Sequence, residues 1–145
     1  MSNNHSLRRA GTRLTGADYL TLATFRHTLR QFIAFSEDKA SLAGLMPQQH
    51  QALLAIKAMS AAGAPSVGEV AEYLMVRPHS AAELIGRLAK MNLIERLRDP
   101  EDRRRVRVSL SPLAERKLEN LSSAHLQELG AIRSMLVRLL EQIDA

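Results

Sequence analysis

The segment from residue 93 to residue 110 constrains the fold of this chain more than any other stretch. It contains two short alternating runs on either side of a turn that carries three consecutive arginines. Alternation with a period of two on both sides of a turn predicts a β-hairpin. We expect Arg103, Arg104 and Arg105 at the tip of this hairpin. Its apolar side is expected to contain Leu93, Ile94, Leu97, Val106, Val108 and Leu110.

A short helix is predicted ahead of the hairpin, from residue 66 to about residue 74. Ser66 and Glu69 have the spacing of a capping box, in which two side chains satisfy free backbone amides at a helix start. The apolar residues of this segment form one stripe, as an amphipathic helix requires. They are Val67, Val70, Ala71 and Leu74.

A second short helix should follow after a tight connection and run to about Met91. Pro78 suits its first turn, where the missing backbone N–H costs nothing. Ser80 and Glu83 repeat the capping-box spacing, so the helix could instead begin two residues later. Asn92 tolerates the left-handed conformation that ends a helix.

The second helix separates its side chains into two faces. The inward face is apolar and contains Ala81, Leu84, Ile85, Leu88 and Met91. The outward face has short residues near its start and basic residues later, and contains His79, Ser80, Ala82, Glu83, Arg87 and Lys90. Short side chains would let the helix approach base edges, whereas Arg87 and Lys90 are better placed for phosphates. A helix pair followed by a cationic hairpin is typical of proteins that bind duplex DNA.

The distribution of charge supports an anionic partner. The formal net charge is +5, and residues 96–107 hold six arginines against three acidic residues. A run of charges is usually a solvated loop, but its position after a helix pair favours DNA contact here. Asp102 would be unfavourable beside a phosphate. Its expected role is to accept hydrogen bonds from a neighbouring arginine or from turn amides.

Helical patterns also precede this region. From Asp18 to about Leu42, apolar residues recur at spacings of three and four, and a further helix is predicted from Pro47 to about Met59. Residues 1–17 are polar, carry three arginines and show no stable periodicity. We expect them to form a flexible arm whose arginines could touch DNA.

The helical period returns after Ser111 and Pro112. Gly130 either divides the remainder into two helices or interrupts one long helix. A short helix cannot bury the last apolar stripe alone, so this stripe should meet the first helix, within the chain or in a second copy. The stripe contains Ile132, Met135, Leu136, Leu139, Leu140 and Ile143.

Composition excludes several classes of protein. The chain has no cysteine, which rules out disulfides and thiolate metal sites. Its five histidines include no pair four residues apart, which argues against a metal centre. A signal peptide and a bilayer-spanning run are both missing, so we expect a cytoplasmic protein. We find no catalytic dyad, Gly-rich phosphate loop or nucleophile elbow, and therefore expect neither an enzyme nor a cofactor.

A smaller set of residues could bind a small molecule. Tyr19, Arg26 and Arg30 lie on or near the first predicted helix and could bind a carboxylate, although ion pairing on the helix surface is the more common use. His27 and His50 are expected to be ordinary, partly buried residues. A place for these histidines in a ligand pocket is the alternative.

Two motifs resemble those of a known family. Regulators of the MarR family carry an Asp, any residue, an Arg, then a Val and a Leu-Thr in the wing of a winged helix. Asp102, Arg104, Val108, Leu110 and Ser111 follow this pattern, with Ser in place of Thr. Arg87 and Leu88, followed by Asn-Leu-Ile-Glu-Arg at 92–96, are similar to the exit of the family's recognition helix, with Asn92 in place of the usual Gly. Met46 lacks the hydroxyl that the family often has before the second helix.

The resemblance implies a fold that is mainly α with a small β-hairpin. A winged helix-turn-helix domain would be joined to N- and C-terminal dimerisation helices. The expected boundaries are a flexible basic arm at 1–17, a dimerisation helix at 18–44, a DNA-binding domain at 45–110 and dimerisation helices at 111–145.

The resemblance further implies a transcriptional repressor. It would bind a pseudopalindromic double-stranded DNA operator as a homodimer and be released by a small aromatic or anionic ligand. By transfer, Arg104 enters the minor groove and Asp102 braces it. Glu83 stands where the family more commonly has a basic or neutral residue, so it should face a cytosine amine or pair with Arg87. The full candidate DNA-binding set is Arg77, His79, Ser80, Ala82, Glu83, Arg87, Lys90, Asp102, Arg103, Arg104 and Arg105.

A second function class remains open from the sequence. A winged helix can also serve as a module that docks on a protein without sequence-specific DNA binding. Such modules usually lack a basic wing and a basic end to the second helix, and this chain has both.

Overall fold

The computed structural model describes residues 13–143. Most of the expected N-terminal arm, at residues 1–12, therefore lies outside the described residues. Five α-helices, a short 3-10 turn and one two-stranded sheet follow one another along the described chain. They are α1 (Gly16–Leu42), α2 (Pro47–Met59), the 3-10 turn (Ser60–Ala62), α3 (Val67–Leu74), α4 (Pro78–Lys90), β1 (Ile94–Arg98), β2 (Val106–Leu110) and α5 (Pro112–Glu141). The expected fold class, mainly α with a small β-hairpin, is confirmed.

The chain divides into two compact units. One contains the described residues up to Phe35 together with those from His125 onward, and the other is the winged-helix unit, Ser36–Ala124. The winged-helix unit thus extends beyond the expected 45–110. The end of α1 and the start of α5 belong to it because their side chains, among them Ala40, Ala114, Leu118 and Leu121, join its hydrophobic core.

The core of the winged-helix unit draws on every element of that unit's helix pair and hairpin. Apolar side chains that are fully removed from water contribute about 1.5–3 kcal/mol each. This burial fixes α3 and α4 against α2 and the hairpin. The largest of these side chains belong to Leu53, Ile56, Val70, Ile85, Leu88, Leu93 and Val108.

The hairpin is antiparallel, and its register pairs Ile94 with Leu110, Arg96 with Val108 and Arg98 with Val106. Opposite residues in such a pair share one face of the sheet. Leu97 consequently falls on the other face, opposite Arg107, and is 49% exposed. Its expected place on the apolar side of the hairpin is wrong, because the strand alternates from Ile94 and puts Arg96 on that side.

The ends of α3 and α4 follow from local chemistry. The Ser66 hydroxyl oxygen accepts the Glu69 amide at 3.1 Å and so caps α3 as its spacing predicted. Helix α4 begins at Pro78, which excludes the alternative start two residues later. Met75 and Asn92 end the two helices with φ of 57° and 60°, in the left-handed region. Asn92 therefore takes the conformation expected of it.

Helix α5 passes through Gly130 without a break. The alternative of one long helix is confirmed. The break expected at Gly130 is wrong, since one glycine costs a helix only about 1 kcal/mol, which packing readily offsets. In the unit that holds the C-terminal part of α5, Met135 Sδ accepts the Thr28 hydroxyl at 3.2 Å and Gln142 Oε1 accepts the Thr21 hydroxyl at 3.0 Å. At Met135 the stripe therefore meets the first helix within the chain, whereas Leu140 and Ile143 of the same stripe stay exposed.

In residues 13–143, no helix combines the length and the apolar character that crossing a membrane requires.

Candidate nucleic-acid interface

The outward face of α4 is open to solvent along its whole length. All seven residues that the sequence placed there or at the helix start are exposed: Arg77, His79, Ser80, Ala82, Glu83, Arg87 and Lys90. The opposite face is held in the core by Ala81, Ile85 and Leu88, which fixes the rotation of the helix. The short side chains of this outward face lie in the first turns of α4, and Arg87 and Lys90 lie in its last turn.

One ion pair lies on this face. His79 Nε2 is 3.2 Å from Glu83 Oε1, one helical turn away. The sequence predicted that Glu83 would face a cytosine or pair with Arg87, and the structure pairs it with His79 instead. Both partners are four residues from Glu83, so spacing alone did not distinguish them. This pair leaves the basic end of α4 free of that carboxylate.

The wing loop, residues 99–105, is braced by Asp102. A carboxylate oxygen of Asp102 accepts the backbone amide of Arg104 at 3.0 Å, and its carbonyl accepts the amide of Arg105, also at 3.0 Å. This is the turn-holding role expected from the sequence. Arg103 and Arg104 are exposed at the tip of the loop.

Arg105 lies at the base of the wing loop, and its expected place at the tip is wrong. Its carbonyl accepts the amide of Asp99 at 3.1 Å, which closes the loop. Its guanidinium Nη2 is 3.4 Å from Glu69 Oε1, at the start of α3. The arginine run therefore divides into two exposed side chains at the tip and one that joins the wing to the helix pair.

The sequence did not identify the pair that anchors the wing loop. Arg107 Nε and Nη2 each lie 3.1 Å from Oδ2 of Asp99, which is only 5% exposed. The amide of Glu101 donates to the other carboxylate oxygen at 2.9 Å. This amide and the Arg107 guanidinium outweigh the effect of burial and hold the pKa of Asp99 below its usual value of 3.8.

Two further contacts fasten β2 to the segment before α3. Arg107 Nη1 donates to the carbonyl of Ala64 at 2.6 Å, and the amide of Val108 donates to the carbonyl of Pro65 at 2.9 Å. Arg107 also forms an isolated antiparallel bridge with Ser66. These contacts join the wing to the helix pair within one compact unit. In the sequence, Asp99 followed by Pro100 at the end of the first strand was the available signal for this anchor. That Arg107 is the partner of Asp99 depends on the tertiary fold and could not be read from the sequence.

The candidate ligand-binding residues occupy two different units. Tyr19, Arg26, His27 and Arg30 are exposed on α1, whereas His50 is buried in α2, inside the winged-helix unit. The expectation that His27 is partly buried is wrong, because its side chain is exposed. His50 is more deeply buried than expected, with only 2% of its surface exposed. Within residues 13–143, no three His, Asp or Glu side chains are close enough to hold a metal ion.

Residues 43–105 match the model of the MarR family, and this stretch holds α2, α3, α4, β1 and the wing loop. The chain is also similar to the uncharacterized HTH-type transcriptional regulator YsmB of Bacillus subtilis (strain 168), at 36% identity over 59 residues. That stretch covers 41% of this chain and 40% of YsmB.

Solved structures share the fold over a larger part of the chain. AbsC, a MarR family transcriptional regulator from Streptomyces coelicolor, superposes with a TM-score of 0.68 at 18% identity, covering 88% of this chain and 84% of AbsC. A mutant MarR from E. coli complexed with operator DNA superposes with a TM-score of 0.64 at 19% identity, covering 91% of this chain and 99% of that one. At such low identity these likenesses establish the fold, and the match to the family model is confined to residues 43–105. Residues 43–105, less than half of the chain, are similar to the MarR family.

Proposed function

We propose that this protein is a transcriptional regulator that binds double-stranded DNA in a sequence-specific manner as a homodimer. The observation that carries the proposal is the placement of an exposed helix face and a pair of exposed loop arginines in one compact unit. Residues 77–107, which span both, carry a net charge of +4. A helix and an adjacent cationic loop on one body match the two grooves of a duplex.

In this proposal α4 lies in a major groove. An α-helix fits the width of that groove, and Ser80 and Ala82 are short enough to let the backbone approach base edges. His79, Ser80, Ala82 and Glu83 would then read or flank bases. Arg77, Arg87 and Lys90, at the two ends of α4, would contact phosphates.

The wing loop would enter the adjacent minor groove. Arg104 is exposed at the tip of the loop, and its backbone is already held by Asp102. Its guanidinium can therefore enter a narrow groove without any further ordering of the loop on binding. Arg103 would assist it there. Arg105 and Asp102 would act by holding the loop in position, since Arg105 is engaged by Glu69 and Asp102 by the amide of Arg104.

Dimerisation would use α1 and α5. Large apolar side chains remain exposed on the described parts of both helices outside the winged-helix unit, and soluble monomers rarely expose so many in one region. A second copy of the chain would cover them, in the manner of terminal dimerisation helices. These side chains include Tyr19, Leu20, Leu22, Leu29, Ile33, Leu126, Leu129, Val137 and Leu140.

The regulator would act as a repressor that a small aromatic or anionic ligand releases. Tyr19 offers an aromatic face, and Arg26 and Arg30 offer charges to a carboxylate, all on exposed positions of α1. His27, on the same helix, completes the candidate set of this unit, and His50 is a separate candidate that is buried in α2 of the winged-helix unit. Titration of a preformed protein–DNA complex with aromatic carboxylates would test this part separately from DNA binding.

The alternative is a winged-helix module that docks on a protein. Selection of bound fragments from the organism's own DNA, followed by gel shift, distinguishes the two functions. We expect defined fragments to be retained, with affinity that falls steeply with salt, because each neutralised phosphate contributes about −0.9 to the slope of log K against log salt concentration. Equal retention of all fragments, or affinity that does not depend on salt, would contradict the proposal.

A further inference from the structure

A charged side chain emerges from the core-facing side of the wing hairpin. Arg96 shares a sheet face with Ile94 and lies opposite Val108, and both of those residues are buried. Arg96 itself stays exposed. A long arginine stem can cover apolar surface while its charged end remains in water, which explains how arginine occupies this position.

The end of the Arg96 side chain lies against α4. A Cβ atom built on Gly86 would be 3.2 Å from Nη2 of Arg96, so the guanidinium rests where a side chain at position 86 would begin. One helical turn to either side of Gly86 lie Ala82 and Lys90, which are both exposed. The guanidinium therefore sits on the flank of α4, between the helix and the stem of the wing.

The position of the Arg96 guanidinium places it against the DNA backbone, provided that the proposed function is correct. A helix in a major groove and a loop in the adjacent minor groove must straddle one sugar–phosphate strand, because that strand is the ridge between the two grooves. A cation between α4 and the wing stem faces this ridge. We propose that Arg96 binds a backbone phosphate there and is a DNA contact in addition to those on α4 and the wing loop.

The chemistry of the contact fits arginine. A guanidinium can donate two parallel hydrogen bonds to a phosphate, which fixes orientation as well as distance. Phosphate contacts carry no base sequence, so Arg96 would set the depth and register of α4 without discriminating between operators. Gly86 makes room for this placement, since a larger side chain there would displace the guanidinium from the helix flank.

The test compares Arg96→Met with Arg116→Met in the full chain. Methionine keeps the apolar stem and removes the charge, and Arg116 is an exposed arginine at the start of α5 that serves as the control for net charge. Fluorescence anisotropy would measure binding to a selected operator fragment and to an unrelated duplex of equal length at several salt concentrations. Thermal unfolding would confirm that both variants are folded.

For Arg96→Met we expect an equal fold-loss of affinity on both duplexes and a salt slope reduced by about two, one phosphate for each copy in the dimer. Arg96→Lys should restore most of the slope. A slope equal to that of Arg116→Met would overturn the inference, and a loss confined to the operator would overturn it too by making Arg96 a base contact. If the unmodified protein itself binds neither duplex, the proposed function fails instead.

Discussion

Arg107 holds Asp99 with two nitrogens, Nε and Nη2, that both lie 3.1 Å from the same carboxylate oxygen. The remaining nitrogen, Nη1, donates to the carbonyl of Ala64. One guanidinium thus joins both ends of the wing loop to the segment that leads into α3. Removing one partner of a buried ion pair leaves the other charge uncompensated, which makes such pairs sensitive to substitution.

Asp99→Asn should lower the midpoint temperature of thermal unfolding at neutral pH. It should also reduce the loss of stability that the unmodified protein shows as the pH is lowered. The pKa of Asp99 is lowered in the folded protein, chiefly by the Glu101 amide and by Arg107. Its contribution to stability is therefore complete above the unfolded value near 3.8 and disappears as the pH falls through the lower, folded value. Thermal unfolding from pH 7 to pH 2.5 measures both effects.

The matched control for this substitution is Glu101→Gln, which changes an exposed carboxylate of the same loop. It should leave the midpoint nearly unchanged. A difference between Asp99→Asn and the unmodified protein that stays constant down to the lowest pH would show that Asp99 does not contribute through its charge.

Arg104→Ala should weaken operator binding and leave dimerisation intact. The guanidinium is exposed at the tip of the wing loop, and a charge-assisted hydrogen bond is worth about 1.5–3 kcal/mol. Anisotropy measures the affinity and sedimentation measures the oligomeric state. Asp102→Ala should weaken binding less, because it removes the carboxylate that holds the loop backbone but retains the positive charge of Arg104. A monomeric Arg104→Ala protein would contradict this assignment.

Leu22→Glu should dissociate the proposed dimer. Leu22 belongs to the apolar stripe of α1 and is 58% exposed in the single chain. Losing the burial of this side chain in the dimer would cost about 2 kcal/mol in each of the two copies. Together the two losses would raise the dimer dissociation constant about a thousandfold. Leu97→Glu, at a similarly exposed leucine in the hairpin, is the control. Equal oligomeric states for both variants in sedimentation experiments would exclude α1 as the interface.

Gly130→Ala should stabilise the protein by up to about 1 kcal/mol. Gly130 lies inside α5, and a Cβ there would have no atom within 4 Å among the described residues. Alanine lowers the entropy of the unfolded chain and favours the helix. Chemical denaturation measures the change. Gly63→Ala is the contrasting case, because its φ of 111° strains any residue with a side chain, and it should destabilise.

Sequence patterns predicted the elements whose causes are local. The cap at Ser66, the proline start of α4 and the left-handed stop at Asn92 each depend on residues within one helical turn. They could therefore be read before the fold was known.

The remaining features depend on residues far apart in the chain. Glu69 meets Arg105 across 36 residues, and Ala64 meets Arg107 across 43. Neither separation has a periodic signature. The exposure of Leu97 depended on strand register, where a shift of one residue exchanges the faces.

The wing loop also has an entropic consequence for the proposed complex. Its seven residues contain four internal hydrogen bonds, from the amides of Asp99, Glu101, Arg104 and Arg105, and Pro100 restricts the backbone further. Ordering a free backbone costs about 1–2 kcal/mol for each residue. A loop that folding has already ordered does not pay this again on association, so more of the attraction between its arginines and DNA is retained as affinity.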